Sequence, residues 1–199
     1  MSTKKYFQLI YCMAWPFFSL FHPIKAVGRE HIPAGAAVIC ANHTSLSDPL
    51  CVCFAFQLKH QLQPLGKIEL LRIPILGWLL EKGGIIGVDR ERADLKAVKA
   101  CLLCLKEGRK LLVFPEGTRV AEGETVTGKG GAAFFASRTG TPIVPVYVPG
   151  KKRWFRSTTV VIGAPFYPVF SGRKATSEEL DGITQEIMER IHRLEEQPK

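Results

Sequence analysis

At 199 residues, 46% hydrophobic and 23% charged, the chain is sized and composed for one folded domain with a real core. A net charge of +9 and a pI near 9.4 point to an anionic partner: nucleic acid, an anionic membrane or a phosphorylated substrate. Lysine and arginine are dispersed, and no basic helix, zinc-finger spacing or aromatic RNA motif appears, which sets nucleic acid aside. One dense basic stretch, Lys151-Lys152-Arg153 followed by Trp154, Phe155 and Arg156, mixes cations with aromatics and suits a membrane interface.

In chain order, Lys4 and Lys5 precede Tyr6–Phe21, a stretch dominated by apolar and aromatic residues. A signal peptide also starts this way, but no small-residue cleavage site follows and Pro16 sits among bulky rings. As a helix the stretch reaches about 24 Å, short of the roughly 30 Å hydrocarbon core. Residues 1–24 are therefore expected to lie in the interface of an anionic membrane, peripheral rather than spanning, with a buried core helix as the alternative. Val38–Ala41 reads as a strand. Asp48-Pro49 reads as an N-cap followed by proline at the first helical position, opening a helix through Leu50–Leu58. Ile68–Leu80 is apolar, but Pro74 and Gly77 make it irregular for one long helix; it is either core or a surface that receives acyl chains.

Gly84–Val88 reads as a strand ending at Asp89-Arg90, Ala93–Gly108 as a helix and Lys110–Phe114 as a strand. Gly130–Arg138 is a helix; Ile143–Val148 and Thr158–Ile162 are strands. Thr176 and Glu179 are spaced for a capping box, after which Leu180, Ile183, Ile187, Ile191 and Leu194 line one helix face. Strands alternating with helices predict an α/β fold: over residues 25–199, one domain with a mostly parallel central sheet flanked by helices. The six cysteines, Cys12, Cys40, Cys51, Cys53, Cys101 and Cys104, read as small core residues of a reducing compartment. Only Cys101 and Cys104 have a spacing that could serve a metal, and no metal site is expected.

Two polar clusters follow apolar strands: Asn42-His43-Thr44-Ser45-Leu46-Ser47-Asp48-Pro49 and Phe114-Pro115-Glu116-Gly117-Thr118-Arg119. In parallel α/β sheets, ligands bind where such clusters fall, at the carboxyl ends of strands. Five residues apart, His43 and Asp48 cannot share a helix face, so a turn must bring them together. The imidazole would then act as a general base near neutral pH, with the carboxylate fixing its tautomer. The plainer alternative is a helix-capping aspartate beside an ordinary loop histidine. A serine hydrolase is disfavoured: no G-x-S-x-G elbow exists, and Ser45 and Ser47 crowd the histidine. Arg119 presents a planar fork suited to a phosphate monoester, and Glu116 either binds hydroxyls or pairs internally with it. Lys67 and Arg90 add two more cations. Together these residues suggest a hydroxyl activated on a phosphate-bearing substrate.

Four blocks in this order resemble the glycerolipid acyltransferases of the lysophosphatidic acid acyltransferase type. They are Asn42–Asp48 as N-H-x4-D, Gly84–Arg90 as the glycine-x-isoleucine…aspartate-arginine block, Phe114–Arg119 as an unbroken F-P-E-G-T-R, and Ile143–Val146 as the apolar V-P-V strand. Lys67 and Glu69 match the family's K-x-E element. The resemblance spans about residues 25–166. Gly87 departs from it, standing where many members carry an aromatic, as does Val120, where serine is common.

The resemblance implies transfer of an acyl group from a thioester to the free hydroxyl of lysophosphatidic acid, giving phosphatidic acid. His43 would be the base, Asp48 its orienter, and Lys67, Arg90, Glu116, Gly117, Thr118 and Arg119 the acceptor-binding set. It implies direct attack without an acyl-enzyme and no bound cofactor, acyl-CoA or acyl carrier protein being a co-substrate. Alternatives are glycerol 3-phosphate or another lysolipid as acceptor, or a non-catalytic membrane module that binds lipid phosphate. A cytoplasmic-face, membrane-associated location is expected.

Overall fold

The computed structural model describes residues 3–60, 62–89, 92, 94–120 and 127–196. Helix α1 (Thr3–Phe21) carries Pro16 and leads into strand β1 (Ile24–Val27). Then follow β2 (Ala37–Ala41), α2 (Asp48–Phe56), β3 (Leu62–Lys67), α3 (Ile68–Leu71), α4 (Leu76–Lys82) and β4 (Ile86–Val88). Helix α5 (Leu95–Lys106), β5 (Lys110–Val113), α6 (Gly131–Thr139), β6 (Ile143–Tyr147), β7 (Thr158–Ile162) and α7 (Ser177–Glu195) complete the described chain.

Among the described residues, seven strands form one sheet in the order β1-β7-β6-β2-β5-β3-β4. Every pairing is parallel except β6 with β7. The predicted α/β fold with a mostly parallel sheet is therefore observed. The middle strands are apolar apart from Lys110 at the start of β5, because both sheet faces are covered. Along β2, Val38 and Cys40 face a layer built with α5, α6 and α7, while Ala37, Ile39 and Ala41 face one built with α2. Because β2, β3, β4, β5 and β6 run parallel, their carboxyl ends meet at one edge of the sheet.

The capping box of α7 forms as predicted: Thr176 Oγ1 accepts from Glu179 N at 3.2 Å, and Glu179 Oε2 accepts from Thr176 N at 2.8 Å. The predicted start and end of α2 need correction. Helix α2 starts at Asp48, so Ser47 occupies the N-cap position and Asp48 is already helical. It ends at Phe56, because Gln57 turns to φ 60. The irregular apolar stretch resolves into two short helices, α3 and α4, separated at Pro74 with Ile75 at φ 64.

Helix α1 packs on one side and is bare on the other. Tyr11, Trp15 and Phe18 lie around the ring of Phe54 on α2, and Tyr6 meets Trp78 of α4 edge-on at 6.2 Å. Leu9, Met13, Phe17 and Leu20 are at least half exposed. Among the described residues, no helix is long and apolar enough to cross a membrane.

Gly28 shows how tightly the far sheet edge is closed. It sits at φ 84, and a Cβ there would lie 2.0 Å from the carbonyl oxygen of Ile162, which also contacts His31 Nδ1 at 2.8 Å. A Gly28→Ala substitution combines a left-handed backbone with a clash, and it is expected to destabilise the fold by about 1–3 kcal/mol. Chemical denaturation checks this; an unchanged midpoint would show that the edge can open.

Candidate active site

The site begins where β2 ends. Asn42 extends the β2–β6 ladder by its side chain: Nδ2 donates to Val148 O at 2.8 Å, and Oδ1 accepts from Val148 N at 2.7 Å. His43 is held at its backbone by the loop after β5. Its N–H donates to Glu116 Oε2 at 2.9 Å, and its carbonyl accepts from Val120 N at 2.8 Å. The imidazole stacks on Phe114, with ring centroids 4.3 Å apart and planes 29° off parallel. Thus the F-P-E-G-T-R segment touches the histidine through Phe114 and Glu116, and the next residue, Val120, adds a third contact.

His43 and Asp48 do meet. Nδ1 lies 3.1 Å from Asp48 Oδ2, brought there by the turn between β2 and α2. That carboxylate does not cap the helix. Oδ2 also accepts from Thr44 N at 2.7 Å and Ser45 N at 2.6 Å, while Oδ1 accepts from Ser45 Oγ at 3.0 Å. Asp48 is completely buried. Burial would raise its carboxyl, but the hydrogen bonds from His43, Lys152 and Ser45, with the lysine charge, hold it at about 2. The ionised carboxylate offers only lone pairs, so Nδ1 carries the shared proton, and in the neutral ring the lone pair is on Nε2.

Lys152 is the residue the sequence did not reveal as part of this centre. It reads as one member of a solvated basic stretch. In the structure its side chain is 6% exposed, and Nζ sits 2.6 Å from Asp48 Oδ1 and 3.1 Å from Ser45 Oγ. A faint signal was available: the stretch follows β6, whose carboxyl end must share the edge with β2. Its neighbours Lys151 and Arg153 are exposed, as the surface reading expects.

The remaining predicted residues vary in placement. Glu116 is buried; burial pushes its carboxyl up, against the lowering influence of the His43 backbone hydrogen bond. Among the described residues it forms no ion pair with Arg119; its carboxylate serves the histidine backbone instead. Gly117 turns at φ 69, and the stem of Lys129 lies where its Cβ would be, 2.6 Å from Cδ. Lys129 is a second cation at this loop that sequence reasoning passed over. Thr118 and Arg119 are exposed at the rim. Lys67 ends β3 and is exposed on the same sheet edge, in register with Val88 of β4. Arg90 lies outside the described residues. Gly87, the departure from the resemblance, makes room for α3: a Cβ there would sit 2.6 Å from Leu71 Cδ1.

Of the six cysteines read as core residues, Cys40, Cys51, Cys101 and Cys104 are fully buried, and burial pushes Cys101 up to about 12 and Cys104 to about 11; Cys53 is half-buried, and Cys12 is exposed on α1, which corrects the core reading there.

The acyltransferase family model matches residues 23–149. The chain is 31% identical over 180 residues to the 1-acyl-sn-glycerol-3-phosphate acyltransferase of Borreliella burgdorferi, covering 84% of this chain and 70% of that protein. It is 30% identical over 183 residues to the Bacillus subtilis protein of the same name, covering 89% and 90%. It spans less than half the length of two chloroplast relatives. The crystal structure of the 1-acyl-sn-glycerophosphate (LPA) acyltransferase PlsC from Thermotoga maritima superposes with a TM-score of 0.67 at 25% identity, over 99% of this chain and 80% of that one. The chain belongs to the acyltransferase family, among the 1-acyl-sn-glycerol-3-phosphate acyltransferases.

Proposed function

We propose that the chain transfers an acyl group from an acyl-CoA or acyl carrier protein thioester to the free hydroxyl of lysophosphatidic acid, with His43 as general base. The observation that carries this reading is the His43 Nδ1–Asp48 Oδ2 contact, which leaves Nε2 facing away from the carboxylate with a lone pair. Nε2 takes the hydroxyl proton as the oxygen attacks the thioester carbon. The C–O bond forms, the tetrahedral intermediate collapses, and the C–S bond breaks. The proton on Nε2 then passes to the departing thiolate. No acyl group resides on the enzyme, and no bound cofactor takes part.

Positioning does much of the work. Phe114 and Asp48 fix the ring plane and tautomer, while Glu116 fixes the backbone beneath it. Arg119, with Gly117, Thr118, Lys67 and Arg90, supplies cations and loop groups to the acceptor phosphate. The bare apolar face of α1 and the exposed Trp154 and Phe155 seat the enzyme on an anionic membrane, peripherally, where its lipid acceptor resides.

The test is thiol release from acyl-CoA, and separately from acyl carrier protein, with and without lysophosphatidic acid. Release that requires the acceptor supports the reading and identifies the carrier; release without it indicates a thioesterase. Glycerol 3-phosphate in a parallel arm distinguishes the acceptor. In the same assay Arg119→Ala is expected to raise the acceptor KM about ten- to a hundredfold, the size of one charged hydrogen-bonding partner lost. Little change in the thioester KM is expected; an unchanged acceptor KM would remove Arg119 from the phosphate site.

A further inference from the structure

Two carboxylates and one aromatic face border His43. Asp48 contacts Nδ1, Glu116 binds the backbone N–H, and the face of Phe114 stacks on the ring. A base must be unprotonated to act. Among the described residues, Lys152 is the one cationic side chain in ion-pair contact with either carboxylate, its Nζ lying on the other oxygen of Asp48, while Lys129 packs its stem on Gly117 of the neighbouring loop without such a contact. Cys51, which also faces Asp48 and Lys152 from α2, is pushed up by burial to about 11 and stays neutral.

The loop bearing Lys152 is held from outside the site. Phe155 N donates to Phe21 O at 2.7 Å, and Thr158 N to Pro23 O at 2.8 Å. Trp154 and Phe155 both pack on Phe21, at 5.6 and 5.5 Å between centroids. Phe155 takes φ 59, an arrangement rare for an aromatic residue that the surrounding contacts hold in place. The ammonium is therefore delivered to Asp48 by a fixed loop rather than by a freely moving surface chain.

We propose that Lys152 is a positioning residue for acyl transfer: by offsetting the negative charge of Asp48 it keeps His43 in the neutral form that accepts the hydroxyl proton. The inference rests on His43 being the base. Its consequence has a definite sign. Without the lysine, Asp48 and Glu116 act on the imidazole unopposed, and a higher pH is needed to free it.

The experiment is the pH dependence of kcat for wild type, Lys152→Met and Lys152→Arg, with thermal melts as a check on folding and His43→Ala alongside. The acid limb of Lys152→Met is expected about one to two pH units higher, with most of the rate recovered above it. Lys152→Arg keeps the charge and should keep the limb near its wild-type position. A rate lowered equally at every pH, with the limb unmoved, overturns the proposal and leaves Lys152 a structural ion pair. If Lys152→Met does not fold, Lys152→Gln, which keeps a donor to Asp48 without charge, carries the same comparison. Wild-type rates in His43→Ala would instead overturn the base assignment itself, whatever the lysine variants do. The NMR titration of the His43 ring in both proteins reads the same shift without turnover.

Discussion

His43→Ala is expected to slow acyl transfer by about a hundredfold to ten-thousandfold, the range that a positioned general base contributes. The protein should still fold. The imidazole makes one side-chain hydrogen bond and one stacking contact, and the clamp from Glu116 and Val120 acts on its backbone, which alanine retains. The measurement is kcat with a saturating thioester and lysophosphatidic acid, paired with a thermal melt. A rate within a few-fold of wild type would mean that the acceptor hydroxyl loses its proton elsewhere. The loss is expected mainly in kcat, because in the proposed mechanism the ring meets the transferring proton rather than the phosphate.

Asp48→Ala should damage both chemistry and fold. The carboxylate accepts from the imidazole, two backbone amides, a serine hydroxyl and an ammonium, all gathered on one fully buried group. Deleting it leaves the Lys152 charge buried and unpaired, a loss of about 3–5 kcal/mol by analogy with other broken buried pairs. A fall in Tm of roughly 10 °C follows for a domain of this size. Its pH signature follows from the carboxyl, held at about 2 against an ordinary 3.8. The stability it contributes is fully present above the ordinary value and is lost as pH falls from there through about 2. The variant should therefore lose stability less steeply than wild type across that acid range. Melts recorded from neutral pH downward test it; equal slopes would show that the ion pair adds no net stability.

Much of this fold was legible because its signals are local. Thr158–Ile162 is a strand with the predicted bounds, and the Thr176–Glu179 box starts α7 where the spacing placed it. Strand β3 escaped notice because Gln63-Pro64-Leu65-Gly66 looks like a breaker, yet Pro64 sits in register with Leu112. Strand β1 is four residues long and too short to show a period. Within the site, His43, Asp48 and Glu116 could be singled out because motif and strand end coincide. Lys152 could not, since more than a hundred residues separate it from its carboxylate and its two charged neighbours disguise it. The N-cap error has a related cause: an aspartate before proline is a common cap, and only three-dimensional context shows its carboxylate turning back onto the preceding loop.

Helix α1 bears on both halves of the surroundings of the His43–Asp48 pair. Its rings cover Phe54 on the helix that begins with Asp48, and its last residue grips the loop that carries Lys152. Trimming the chain back to Pro23 to improve handling in detergent-free buffer would thus strip more than a surface helix. It would bare an aromatic socket beside one charged partner and unmoor the other. Such a shortened enzyme would fail on short-chain, water-soluble acceptors as well as on lipid in vesicles, which a purely membrane-targeting helix would not cause.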